Sequence, residues 1–196
     1  MASDERKASA ATSWRGRQRA EVLVYPDLES LSHAAAQAFL ANASRAIANH
    51  GDFCVGLSGG STPRRLYEIL ASPPSVDRVP WRHMHLFFCD ERAVPPDAAE
   101  SNYGFVAATL LNTAQVPAAQ VHRMEADADD MEAAAGRYER TFRRIACRGE
   151  RAPFCLDLAV LGIDADGHTA SLFPRSAAVG DGWLWSAKPR RRSCEG

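Results

Sequence analysis

Short apolar runs of strand length recur along the chain with helical patterns between them, and this alternation constrains the fold more than any other feature. The runs are 21–25 (EVLVY), 53–57 (FCVGL), 85–89 (HLFFC) and 156–161 (LDLAVL), with a weaker edge candidate at 121–124 (VHRM). Between them, 28–49 carries Leu31, Ala35, Phe39 and Ile47 at helical spacing in an alanine-rich background, which favours helix. Segments 63–70, with proline in its first turn, 102–111, and 130–145, with Asp130 as a cap, also read as helices. Strands that alternate with helices predict an α/β fold: a mostly parallel sheet with helices on both faces. In such sheets ligands bind beyond the carboxyl ends of the strands.

Bulk properties narrow the function. A chain of 196 residues is large enough for one domain with its own core. The net charge of −1 gives no overall pull toward nucleic acid or an anionic membrane, so neither is expected as a partner. No apolar run approaches the roughly 18 to 20 residues that span a bilayer. Residues 1–20 are polar, without a secretory apolar stretch, and are expected to be a disordered lead-in. Asp4 and Glu5 argue against a mitochondrial address despite Arg15, Arg17 and Arg19. The folded domain is expected over 21–178. Residues 179–196 have no strand period, two tryptophans and a basic cluster from 188 to 192, and read as an atypical tail. Five cysteines without a Cys-x-x-Cys pair argue against disulfides and zinc. Cysteines placed inside apolar runs point to a reducing, cytoplasmic setting, and no cofactor is expected.

Three polar segments each fall at the end of a strand. In 58–63 (SGGSTP), Gly59 and Gly60 allow a tight turn, Ser58, Ser61 and Thr62 supply hydroxyls, and a helix begins. That combination suits a phosphate monoester; a plain glycine turn with a capping hydroxyl is the structural alternative. Without a Walker lysine, a nucleoside triphosphate is not expected. Asp90, Glu91 and Arg92 abruptly end an apolar strand, and Arg92 has the fork geometry for phosphate or sugar oxygens. The alternative is that Asp90 and Arg92 merely pair with neighbours at the rim. Ser101 and Asn102 read as a helix cap. In 162–174 (GIDADGHTASLFP), His168 sits in a glycine-shaped loop with Asp164 and Asp166 close in sequence, as a general base with an orienting carboxylate requires. His33, His50, His83, His85 and His122 read as structural.

Taken in order, 57–63, 89–92, 100–104 and 161–174 resemble the glucosamine-6-phosphate isomerase/6-phosphogluconolactonase family, and the lactonases within it most. The resemblance runs from about residue 22 to 178. It implies the sugar-phosphate isomerase/deaminase α/β fold, no metal, and hydrolysis of 6-phospho-D-glucono-1,5-lactone to 6-phospho-D-gluconate in the oxidative pentose phosphate pathway. It implies His168 as the catalytic histidine, with Asp166 beside it. Ser58, Gly59, Gly60, Ser61 and Thr62 match the phosphate loop, and Arg92 a substrate-binding arginine. Two rivals remain. A deaminase-like isomerase would use Asp90 as acid/base, although the Thr-Ala-Ser-Leu-Phe-Pro run after His168 is the lactonase form. An inactive sugar-phosphate-binding fragment is the other, because the family continues through further strands that are missing here; the chain alone is then expected to be poorly soluble.

Overall fold

Asp27 opens the first helix by accepting the Ser30 N–H at 2.7 Å, and Gly51, left-handed at φ 96°, closes it. The computed structural model describes residues 21–146 and 156–176. Five helices lie in these segments: α1 (Leu28–His50), α2 (Ser61–Ala71), α3 (Ser75–Arg78), α4 (Asn102–Val106) and α5 (Met131–Ala146). The strands are β1 (Phe53–Leu57), β2 (Met84–Phe88), β3 (Val121–His122) and β4 (Leu158–Ala159), in the order β3-β2-β1-β4. Every pairing is parallel, with Leu57 opposite Phe88 and Gly56 opposite Ala159.

The period-two geometry of the strands divides the core into two layers. Phe53, Val55 and Leu57 of β1, with Met84, Leu86 and Phe88 of β2, pack against Phe39 of α1 and Leu66, Tyr67 and Leu70 of α2. The alternate residues Cys54 and Phe87 face the other way, onto Tyr138 and Phe142 of α5. The helices on both faces and the parallel sheet are thus as the alternation predicted. Asp130 caps α5 through the Ala133 N–H at 2.9 Å, and Ser101 caps α4 through the Gly104 N–H at 3.0 Å. The helix expected over 102–111 widens to a π turn from Ala107 to Leu111.

Two strand expectations are corrected. Residues 21–25 form no strand, and Val22, Leu23 and Val24 are 48%, 54% and 81% exposed. Strand propensity becomes a strand only against a neighbouring backbone, and no described strand lies beside this segment. The run 156–161 pairs only at Leu158–Ala159. It is fastened to β1 by the Asp157 carboxylate, which accepts the Cys54 N–H at 2.8 Å and contacts His50 Nε2 at 3.1 Å. Past Val160 the chain leaves the sheet, so Leu161 and Ile163 are exposed. The lead-in 1–20 and the tail 179–196 lie outside the described residues.

Candidate active site

The strand order reverses between β1 and β4, and in open parallel sheets the crevice beyond that reversal is where ligands bind. The loop leaving β1 carries Ser58, Gly59, Gly60, Ser61 and Thr62; the loop leaving β4 carries Asp164, Asp166 and His168. Two buried tyrosines set the strand ends. Tyr67 Oη donates to the Ser58 carbonyl at 2.8 Å and accepts the Ser58 N–H at 3.2 Å. Tyr138 does the same to Phe88, at 2.8 and 2.9 Å. Burial pushes both phenols above their usual pKa, so they stay protonated donors.

At the first loop the N-cap of α2 is Gly60, at φ 99°, and no side chain caps the helix. The capping-hydroxyl alternative for this turn is therefore not realised, and the first-turn N–H groups remain available to an anion. Ser61 and Thr62 are exposed here. Ser58 Oγ is buried without a hydrogen-bond partner of good geometry. The Cys89 thiol lies beside it, and burial pushes that thiol up to about 11, which keeps it neutral at physiological pH.

The second segment splits its labour. Glu91 turns back onto α4, its carboxylate accepting from the N–H groups of Arg92 (2.8 Å), Asn102 (2.7 Å) and Tyr103 (2.8 Å) and from Ser101 Oγ (3.2 Å). Asp90 has both carboxylate oxygens engaged: Oδ1 by Asn102 Nδ2 at 3.2 Å, Oδ2 by Ser171 Oγ at 2.6 Å. Arg92 is exposed and carries no ion pair among the described residues, whereas Asp90 is paired with its neighbours Asn102 and Ser171.

In the third segment the His168 imidazole lies between two carboxylates. Asp166 Oδ1 meets Nδ1 at 2.5 Å and also accepts the His168 N–H at 3.2 Å; Asp164 Oδ2 meets Nε2 at 3.0 Å. Hydrogen bonding by the His168 side chain and backbone holds the Asp166 carboxyl below its usual pKa. The ring is 13% exposed and packs on Phe173, with ring centroids 4.4 Å apart. Asp164 is 73% exposed, so water readily competes for its contact with Nε2.

The three segments meet through Ser171 and through Asn102, which the sequence marks only as part of a helix cap. Ser171 joins the histidine loop to Asp90, and Asn102 joins Asp90 to the glycine loop. A polar run immediately after the histidine was the one available signal for Ser171. A groove between α2 and the start of α4, about 440 Å³ and lined by Arg64, Pro96, Asp97, Tyr103 and Phe105 among others, contains none of the predicted site residues. Among the described residues no three His, Cys, Asp or Glu side chains gather as a metal site.

The chain is similar to known proteins in sequence and in fold. The chain is 36% identical over 127 residues to the 6-phosphogluconolactonase of Haemophilus influenzae, covering 65% of this chain and 52% of that protein. It is 41% identical over 143 residues to the 6-phosphogluconolactonase of Synechocystis, covering 70% and 57%. The solved 6-phosphogluconolactonase of Thermotoga maritima superposes with a TM-score of 0.65 at 29% identity, covering 78% of this chain and 61% of that one. The chain thus spans little more than half the length of the curated relatives it matches. Residues 26–192 match the family described as glucosamine-6-phosphate isomerases/6-phosphogluconolactonase, and the chain belongs to that family.

Proposed function

We propose that this chain binds 6-phospho-D-glucono-1,5-lactone and hydrolyses it to 6-phospho-D-gluconate. One observation carries the reading: an imidazole flanked by carboxylates on the β4 loop is tied, through Ser171, Asp90 and Asn102, to the uncapped glycine loop after β1. An acid–base group and an anion cradle on the two sides of the sheet's reversal point suit a substrate with an ester at one end and a phosphate at the other.

The phosphate takes the N–H groups opening α2 and the hydroxyls of Ser58, Ser61 and Thr62, with Gly59 and Gly60 allowing close approach; Arg92 supplies a cation from the rim. Binding there fixes the sugar and spends the remote phosphate's binding energy on orientation. His168 is the general base. Asp166 holds Nδ1 and stabilises the imidazolium, while Nε2, once its contact with exposed Asp164 gives way, takes a proton from water. That water oxygen bonds to the lactone carbonyl carbon, the C1–O5 bond breaks, and the imidazolium returns the proton to O5. The acid product then loses its own proton to solvent. A δ-lactone is activated enough that no covalent nucleophile, metal or cofactor is required.

The deaminase-like reading needs Asp90 as a mobile proton carrier, and its two engaged oxygens favour a bracing role instead. No helix among the described residues is long and apolar enough to cross a membrane. The cytoplasm is the proposed compartment, and neither nucleic acid nor membrane is a proposed partner. The test is acid release from freshly generated lactone, corrected for spontaneous opening, by the full chain and by His168→Ala. Loss of about 10²–10⁴-fold in the variant is expected; equal rates, or a parent chain no faster than buffer, would refute the proposal.

A further inference from the structure

Asn102 is more deeply placed than a helix-capping neighbour needs to be. It is 4% exposed, and its backbone N–H is pinned at 2.7 Å by the Glu91 carboxylate. Its Nδ2 donates to Asp90 twice, to the main-chain carbonyl at 3.0 Å and to Oδ1 at 3.2 Å. The same carboxamide lies against Gly59: a Cβ there would come within 2.0 Å of Asn102 Oδ1 and 2.6 Å of Cγ. Only glycine permits that approach. Asp90 Oδ2 in turn accepts the Ser171 hydroxyl at 2.6 Å, three residues beyond His168. One buried carboxamide therefore touches the anion loop directly and reaches the histidine loop through a single carboxylate.

Networks of this kind select one geometry when every member is satisfied, and misplacing reacting groups by about 1 Å costs about 100-fold in rate. We infer that Asn102 is a positioning residue that couples the glycine loop to the histidine loop, setting the span between phosphate cradle and imidazole. It acts through Gly59 and Asp90; its kinetic consequence, though not the coupling itself, rests on the lactonase reading.

The test uses the full chain with Asn102→Asp, which keeps the shape against Gly59 but removes the donor, together with Ser171→Ala and the double variant. Hydrogen exchange is followed by mass spectrometry in 58–62 and 166–172, with α1 as internal reference. Asn102→Asp is expected to speed exchange at least about tenfold in both loops while α1 is unchanged. Ser171→Ala is expected to speed 166–172 alone, and in the double variant the effects on 166–172 are expected to be non-additive. Wild-type rates in 166–172, additive effects, or equal acceleration throughout the chain would each overturn the coupling. Should Asn102→Asp fail to fold, Ser171→Ala still decides: unchanged exchange in 166–172 overturns it. If the parent hydrolyses lactone, kcat of Asn102→Asp is expected to fall at least about tenfold. If the parent is inactive while the exchange pattern holds, the lactonase reading fails and the coupling stands.

Discussion

Tyr67→Phe removes one oxygen from a fully buried side chain and leaves its ring packing unchanged. That oxygen serves two partners on the same residue, the Ser58 carbonyl at 2.8 Å and the Ser58 N–H at 3.2 Å. Both are buried at the point where β1 becomes the glycine loop. Each hydrogen bond is worth about 1 kcal/mol net, and a buried group left unsatisfied costs about 1–3 kcal/mol. The shorter, better bond dominates, and the longer one adds less, so the expected loss is about 2–3 kcal/mol. For a chain of this size that corresponds to a fall in Tm of about 4–12 °C. Urea unfolding followed by circular dichroism, with an unchanged m-value, gives the number directly. The second readout is the stabilising shift produced by inorganic phosphate, which is expected to weaken because Ser58 is no longer held. A stability loss below about 0.5 kcal/mol would refute the reasoning, since it would mean that water or the neighbouring loop satisfies Ser58 without the phenol.

Three other outcomes are expected. Burial, then the adjacent His85 and Arg144, push His122 down to about 4, and its Nε2 lies 3.1 Å from His85 Nδ1. The unfolded chain takes up this proton near pH 6.5 and the folded chain does not, so stability present above pH 6.5 is lost as pH falls toward 4. The full displacement would be worth about 3 kcal/mol, but partial exposure screens it to about 1–2 kcal/mol; unfolding free energies of the parent and His122→Asn across pH 4–7 check this. Asp166→Asn keeps the size of the group beside His168 Nδ1 but removes its charge; under the proposed function, kcat for lactone hydrolysis is expected to fall about tenfold or more in a steady-state assay, with little change in Tm. Ala170 is held at φ 49°, a left-handed conformation costing a non-glycine residue about 1–2 kcal/mol, so Ala170→Gly is expected to raise stability by up to about 1 kcal/mol in thermal unfolding.

The helices were the most legible elements. Asp27, Asp130 and Ser101 supply local caps, and α1 and α5 run within a residue or two of where their periodicity placed them. The strands at 53–57 and 84–88 were equally clear, because runs buried on both faces are continuously apolar. Residues 21–25 and 156–161 look the same in composition, yet one forms no strand and the other pairs over two residues. A strand is defined by its neighbour's backbone, and periodicity carries no information about that neighbour.

The same division applies to the site. Gly59, Gly60 and His168 stood out as candidates because a tight turn before a helix and a histidine in a glycine-shaped loop each leave a mark within a few positions. The functions of Glu91, Asn102 and Ser171 did not, since each depends on partners 10 to 81 residues away. Sequence alone determined the parallel α/β architecture and the three strand-end segments, because local propensity, capping and apolar patterning are short-range properties. Only the tertiary structure decided that Asp90 braces the loops, that Asp164 occupies the outer imidazole nitrogen, and that β4 is clasped by Asp157, because these contacts arise from where the folded backbone brings distant polar groups together.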